Sequence, residues 1–436
     1  YIVIDGELME NILEYIENIV WSMPLVFLLI FTHIYFTIKL KFPQKYTLKG
    51  LKYMISSDKK NTSEGISSFK SIMAVLAATL GTGNIIGVAA AILIGGVGSI
   101  FWIFISGVFA IATKYAEDYI VLKYRTKDKN GYSGGTMYVL DKRIGYKKLA
   151  ILFSVFVILT SFGMGAMIQS NAISNSIIQN YDIDVKIIAI IVAVICAYAL
   201  FGNEKRISNI SSILIPIAIL IYLISCVFLL VIFKDNIIPS IKYIISEAFN
   251  FKCVVGGIFA SSAIRAMSAG LSKGLFTNEA GMGTSPLFDS TVKEQDIKKQ
   301  SIMASTTVFI DTVFLCTITG IIFGASGLYL VSESPVEFSQ AVFLKLPFGK
   351  ELFMFIITIF AISTIPCSGY YGSVRVKYLF KSKKIYQILY KIVFVIFIYI
   401  GCISTVKSVW SISSIANALM IIPNLVMLYY LRDEIK

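Results

Sequence analysis

The residues with the most distinctive chemistry sit in the middle of an apolar run. In SIMAVLAATLGTGNIIGVAAAILIGG (71–96), Gly81, Thr82, Gly83 and Asn84 fall about halfway along a segment otherwise fit to cross a bilayer. Glycine tolerates non-helical backbone, and Thr and Asn compete with the helix for main-chain hydrogen bonds. A break here frees carbonyls on one side and N–H groups on the other. In lipid, such groups persist only beside a cavity or a ligand. The positive N-terminal end of the resumed helix suits a carboxylate, and the freed carbonyls suit a small cation. The competing explanation is close helix packing through small residues.

A second softened segment, CVVGGIFASSAIRAMSAGLSKG (253–274), carries Gly256, Gly257, Ser261 and Ser262. Paired Gly-interrupted spans are the best sequence pointer to a transport site. Two ionisable residues lie deep in apolar stretches, Arg265 and, in VFIDTVFLCTITG, Asp311. Intramembrane charge is costly and marks function or a locking ion pair, so the two are candidates to pair. Gln169 and Asn171 could bind a solute or glue helices. Ser363 and Thr364 offer hydroxyl oxygens suited to a hard cation such as Na+, or to bonding back onto their own helix. The loop Lys273–Pro286 is too rich in Gly and polar groups to be an ordinary connection and reads as a gate or hinge. Glu117 and Asp118, beside Lys114, read as surface anchors. The scattered cysteines and the single His33 make metal chemistry and an enzyme improbable.

The elements that must position these groups are membrane spans. The 436 residues are 56% hydrophobic and 15% charged, with a mean hydropathy of +0.78, which excludes an ordinary soluble enzyme. The net charge of +13 sits in short loops, a pattern that argues for membrane orientation rather than nucleic acid. No secretory signal peptide is recognised at the start of the sequence. Eleven helices are expected, at about 16–38, 68–95, 98–122, 148–179, 185–201, 207–233, 253–275, 297–327, 350–373, 385–403 and 408–431. The stretches 279–291 and 335–346 are expected at the surface or as re-entrant pieces. The chain divides into an extra helix and basic loop (1–67), five spans (68–233), five more (253–431) and a tail (432–436). Five is odd, so the second set starts from the opposite side of the membrane: an inverted repeat, common in secondary transporters. The excess of Lys and Arg in 39–67, 123–147, 202–206, 276–296, 374–384 and the tail places those loops in the cytoplasm and the N-terminus outside.

With these strings in view, LGTGNIIGVAAAILIGGVGSIFWIF, ATKYAEDYIVLKYR, GYSGGTMYVL, GLFTNEAGMGTSP, FIDTVFLCTITG and ANALMIIPNL, the chain resembles the alanine/glycine:cation symporter (sodium:alanine symporter) family from about residue 65 to 428. The resemblance implies an all-α membrane protein with a LeuT-type, APC superfamily-like fold of five plus five inverted helices and an extra N-terminal helix. It also implies a multi-pass cell-membrane protein that cotransports alanine or glycine with Na+. The alternative is proton-coupled transport of a different small amino acid or related solute. Carried over by position, Thr82, Gly83 and Asn84 contact substrate, with Gln169, Phe259, Ser261 and Ser262 nearby. Ser363 and Thr364 help hold Na+ against carbonyls around Ala78 and Gly81. The sequence departs from the family pattern at Ser368, where a Trp is usual, at Ser373 for a Glu and at Ser414 for an Asp. Loss of the Trp is expected to enlarge or reshape the pocket.

Overall fold

The computed structural model describes residues 12, 15–17, 19–21, 23–57, 65–128, 131–250, 262–294, 296–404 and 406–436. The helices that carry the architecture are α1 (Met23–Lys39), α2 (Thr47–Ser56), α3 (Ser68–Thr79), α4 (Ile86–Gly95), α5 (Ser99–Lys123), α6 (Lys147–Ile178) and α7 (Val185–Leu200). They continue as α8 (Glu204–Ile232), α9 (Lys234–Ala248), α10 (Ser262–Asn278), α11 (Ile297–Ser326), α12 (Gly349–Leu379), α13 (Lys384–Ile403) and α14 (Val406–Tyr430).

Among the described residues seven helices are long and apolar enough to cross a membrane, or eight if one bent pair counts as a span. The eleven continuous spans expected from the sequence are therefore not found as such. The stretch 68–95 is two short helices, α3 and α4, because the Gly-Thr-Gly-Asn tetrad interrupts it. The stretch 253–275 enters the described residues only at Ser262. α7 is apolar but has only 16 residues.

The N-terminal helix turns sharply. α1 and the segment Pro43–Ser56 are bent by 67°, at a point where Lys41 and Phe42 adopt positive φ and Pro43 opens a short 3-10 turn. Gln44 pins the corner by donating to Thr37 Oγ1 (2.9 Å) and to the Val108 carbonyl (3.0 Å). α2 is an amphipathic helix within 39–67, where the sequence leads one to expect only a basic loop. It buries Thr47, Gly50 and Met54, and it exposes Leu48 and Ile55 together with Lys49 and Lys52. This is the composition of a helix lying in a membrane interface. A Cβ at Gly50 would overlap Thr306 Oγ1, so α2 sits directly on α11.

The helices pack in two groups, each drawing on both halves of the chain. α4, α5, α10 and α11 form one, with α10 and α11 against α5 and α10 against α4. Gly270 and Gly274, one turn apart on α10, abut Ser99, Trp102 and Ser106, and Gly107 of α5 abuts Thr312. Small residues bring these backbones together. In the second group α6 packs on α12, and α7 and α12 on α13. The outer surfaces are apolar: Ile187, Ile190, Ile191 and Val194 on α7, and Leu220, Ile224 and Phe228 on α8, are exposed. Such surfaces suit hydrocarbon, not water.

Several loops converge on one end. Glu434 pairs with Lys123 (2.6 Å) and Arg143 (2.9 Å), and Lys39 pairs with Asp433. Arg125 donates to the carbonyls of Val292 (2.8 Å) and Glu294 (2.5 Å). The loops after α1, α5 and α10 and the tail thus share one face, together with a small hairpin pairing Thr126–Asp128 with Gly131–Ser133. Five described cysteines are buried and free, and Cys253 lies outside the described residues.

Candidate functional site

The break is real backbone irregularity in a buried place. α3 ends at Thr79, Gly81 is extended (φ −108°, ψ −155°), Thr82–Asn84 form a 3-10 turn, and α4 begins at Ile86. Every residue from Leu80 to Ile86 is buried.

Four helices surround it. From α6, Gln169 Oε1 accepts the Thr82 N–H (3.1 Å). Gln169 follows a π-helical stretch, Ser161–Ile168, a distortion often found at functional sites. From α10, Phe276 and Thr277 lie 3.2 Å from where a Gly83 Cβ would be. From α11, itself π-helical over Phe309–Cys316, Asp311 accepts the Asn84 side-chain amide through its carboxylate and, at 3.3 Å, through its carbonyl. Thr312 donates to Asp311 Oδ2 (2.8 Å), and Thr277 bonds Thr312 (3.1 Å). From α12 comes Thr364. A Cβ on Gly81 would lie 2.9 Å from Gln169 Oε1 and 3.1 Å from Thr364 Oγ1, so glycine is needed for the close approach.

The Thr364 hydroxyl sits among three main-chain carbonyls, those of Ala77 (2.7 Å), Phe360 (2.9 Å) and Leu80 (3.5 Å). A hydroxyl has one proton to donate, so this oxygen cluster has acceptor capacity left over, and it suits a hard monovalent cation. Ala78 is buried in the same turn as Ala77, whereas Ser363 donates to Phe360 of its own helix (2.8 Å). Among the described residues no group of three or more His, Cys, Asp or Glu could hold a metal. A second feature fits a polar guest. The side-chain oxygens Thr82 Oγ1, Asn84 Oδ1 and, on α14, Asn417 Oδ1 are buried and have no hydrogen-bond partner among the described residues. Buried oxygens are normally satisfied, and those of Thr82 and Asn84 lie in the break itself, where a hydrogen-bond donor on a guest could reach them.

Some expected site residues are not brought here. Arg265 is exposed, while Asp311 is wholly buried and bonded to Asn84 and Thr312, so the two form no ion pair. Similar depth in the sequence said nothing about which way each helix face points. Ser262 opens an unbroken α10 and donates to the Asn250 carbonyl (2.9 Å). At 1.5 Å per residue it lies about 21 Å along the helix from Phe276, which does meet the break. Phe259 and Ser261 lie outside the described residues. Asn171 donates to the carbonyls of Gly401 (3.0 Å) and Ser404 (2.8 Å), so it glues α6 to α13. Ser368 packs closely against α6. A Cβ on Gly165 would lie 2.3 Å from Ser368 Cβ, and only a cavity of about 20 Å³ remains beside them.

Glu117 and Asp118 are not surface anchors. They are fully buried, as is Lys114. The loop after α10 folds back over them: Glu117 Oε1 accepts the Gly281 N–H (2.8 Å) and the Asn424 amide, Asn424 donates to the Gly281 carbonyl (2.9 Å), and Lys114 bonds Ser285. Gly281 and Gly283 take positive φ there, which favours glycine. Asp289, Glu279 and Arg375, which the sequence pattern alone does not single out, are also buried here. Arg375 was legible as a charge just beyond the expected end of 350–373; α12 continues to Leu379 and carries it inside.

Comparison with known proteins agrees with this architecture. The chain is 35% identical over 437 residues to the sodium/alanine symporter AgcS of Methanococcus maripaludis, covering 98% of this chain and 95% of that one. It is 30% identical over 435 residues to "Probable sodium/glutamine symporter GlnT" of Bacillus subtilis, covering 98% and 90%. The fold is shared with the crystal structure of MhsT in complex with L-phenylalanine, at a TM-score of 0.61 and 15% identity, covering 85% of this chain and 90% of that one. The model of the sodium:alanine symporter family matches residues 6–436, and the chain, a multi-pass membrane protein with its broken helix at the centre, belongs to that family.

Proposed function

We propose that the protein is a Na+-coupled symporter of small neutral amino acids such as alanine or glycine. The observation that carries this reading is the unwound, buried backbone at Gly81–Asn84, bounded by Gln169 and by the Thr364 oxygen cluster. The substrate carboxylate faces the N-terminal end of α4, where the helix dipole is positive. The ammonium takes up the orphaned oxygens of Thr82, Asn84 and Asn417. Na+ sits between the α3 carbonyls, from Ala77 to Gly81, and α12, with Thr364 as its side-chain ligand. Because cation and substrate stabilise the same broken backbone, each raises the other's affinity. Alternating access arises as α3, α4, α5, α10 and α11 rock against α6, α7, α12 and α13. The basic end that gathers the tail faces the cytoplasm, the N-terminus lies outside, and eleven spans result when the seven long helices are joined by α1, α7, α3 with α4, and the chain through α10, each counted as one.

The tight fit of Gly83 under Phe276 and Thr277 supports a small substrate. The name of one relative mentions glutamine, so side-chain size is the variable to test. Proteoliposomes with an inward Na+ gradient are expected to accumulate radiolabelled alanine or glycine, with larger amino acids competing poorly. Absence of uptake under both Na+ and proton gradients, by folded protein, overturns the reading.

A further inference from the structure

The bend between α1 and α2 meets the start of α11 around a cavity of about 350 Å³, at the end of the molecule that gathers the tail. Leu40, Pro43 and Tyr46 of the bend, Lys49 and Tyr53 of α2 and Tyr115 of α5 form part of its wall. The charges on the lining are unequal. Among the described residues it carries four lysines, Lys49, Lys298, Lys299 and Lys436, against one acid, Asp296. That acid is already engaged, because Asp296 Oδ1 caps α11 by accepting the Lys299 N–H (3.0 Å). Lys299 pairs with Glu294 (2.6 Å), which leaves Lys49 and Lys298 exposed and without an ion pair among the described residues. Lys49 and Lys299 come to the same aromatic ring from different helices: their Nζ atoms lie 5.4 and 5.8 Å from the Tyr53 centroid. Like charges gathered in this way repel one another unless an anion lies among them.

A phosphate group suits these lysines, and both free phosphate and a phospholipid headgroup offer one. Two features favour the lipid. First, α2 has the composition of an interfacial helix, with Leu48 and Ile55 exposed beside its lysines, which sets Lys49 at headgroup depth. Second, the wall is partly apolar: Leu40, Pro43 and Ile302 line it, and Phe42 in the bend is exposed. A glycerol backbone and the first acyl carbons cover such a surface, and a free ion does not. The volume also lies within the roughly 300–1,000 Å³ of small-ligand pockets, and basic pockets between membrane helices attract anionic headgroups. We propose that this cavity binds one anionic phospholipid of the surrounding leaflet, its phosphate among Lys49, Lys298 and Lys299 and its glycerol against Tyr46 and Tyr53. Because the walls come from both α2 and α11, the bound headgroup fastens the interfacial helix to the helix that carries Asp311.

The test uses the full chain in neutral detergent, titrated with dioctanoyl phosphatidylglycerol and followed by native mass spectrometry. Saturable binding of one phosphatidylglycerol is expected, in preference to dioctanoyl phosphatidylcholine. The double variant Lys49→Gln, Lys298→Gln is expected to weaken that binding by about tenfold or more. Both side chains are exposed, so the fold does not depend on them. Lys49→Arg with Lys298→Arg, which keeps the charge, is expected to retain binding. A control pair, Lys383→Gln with Lys384→Gln in the exposed turn between α12 and α13, is expected to stay within about twofold, because charge at a distance is screened. Inorganic phosphate and sn-glycerol 3-phosphate, which lack acyl chains, are expected to compete only at concentrations about a hundredfold higher. No preference over phosphatidylcholine overturns the site. So does equal weakening by both glutamine pairs, since that is the behaviour of diffuse surface charge. Competition by inorganic phosphate at the same concentration as the lipid overturns the assignment to a lipid.

Discussion

Asn84, in the turn that interrupts the second hydrophobic stretch, hands its side-chain amide to the buried carboxylate of Asp311 on α11. The bond ties the unwound backbone to a helix of the other half of the chain, and it leaves Asn84 Oδ1 with no hydrogen-bond partner among the described residues. Asp311→Asn removes one of the acceptor oxygens shared by Asn84 and Thr312. The expected result is a drop of about tenfold in alanine uptake, equivalent to about 1.4 kcal/mol, with expression and monodispersity retained. Initial rates in proteoliposomes check this, and full activity would remove Asp311 from the mechanism.

Thr364 is the only side-chain oxygen that the structure brings onto the Ala77 and Leu80 carbonyls among the hydroxyls considered for the cation. Thr364→Ala is expected to raise the Na+ concentration for half-maximal uptake by about tenfold, roughly 1.4 kcal/mol of lost ligation, and Thr364→Ser to restore it. A Na+ titration at fixed alanine is the measurement. An unchanged half-saturation would place the ion elsewhere.

Gly81 and Gly87 form a matched pair for separating fit from flexibility. A methyl at Gly81 meets Gln169 and Thr364, whereas a methyl at Gly87 meets nothing within 4 Å. Gly81→Ala is expected to abolish alanine binding and to cost about 1–3 kcal/mol of stability through overpacking. Gly87→Ala is expected to leave binding intact and to stabilise α4 by about 0.5–1 kcal/mol. Thermal unfolding in detergent, with and without alanine and Na+, reads both.

The tail supplies a pH test away from the membrane. Hydrogen bonds from Lys123, then Tyr124 and Arg143, hold the Glu434 carboxyl at about 2, below its ordinary 4.5. A depressed acid contributes docking energy that is fully present above the unfolded value and lost as pH falls through the folded one. Tail docking, followed with a fluorophore near Lys436, is expected to be flat from pH 7 to 5 and to weaken toward pH 2. Glu434→Gln is expected to loosen it at pH 7, with global stability changed by less than about 1 kcal/mol because these groups are partly exposed.

The break could be read directly from the residues, because two glycines flanking Thr82 inside an apolar run have few other structural uses. Asp311 was legible for a similar reason: a lone acid in hydrocarbon must meet something. Its partner was not, since the pairing with Arg265 rested on depth and ignored rotation about the helix axis. On α10, Ala263, Ala266 and Ala269 turn inward while Arg265 turns out. Glu117 and Asp118 were missed because only the return of the Gly281–Ser285 loop, many residues later, makes their helix end an interior. The interfacial α2 hid in a lysine-rich stretch whose charges dominated the reading, although Leu48, Leu51, Met54 and Ile55 recur at helical spacing.

α2 itself has a mechanical corollary. It is seated on α11 through the Gly50–Thr306 contact while Leu48 and Ile55 project outward. If α11 tilts during the cycle, α2 must plough sideways through the headgroup layer like an outrigger. With α2 in that layer, as its composition suits, the fluidity and curvature stress of the leaflet would enter the rate of the proposed transport cycle.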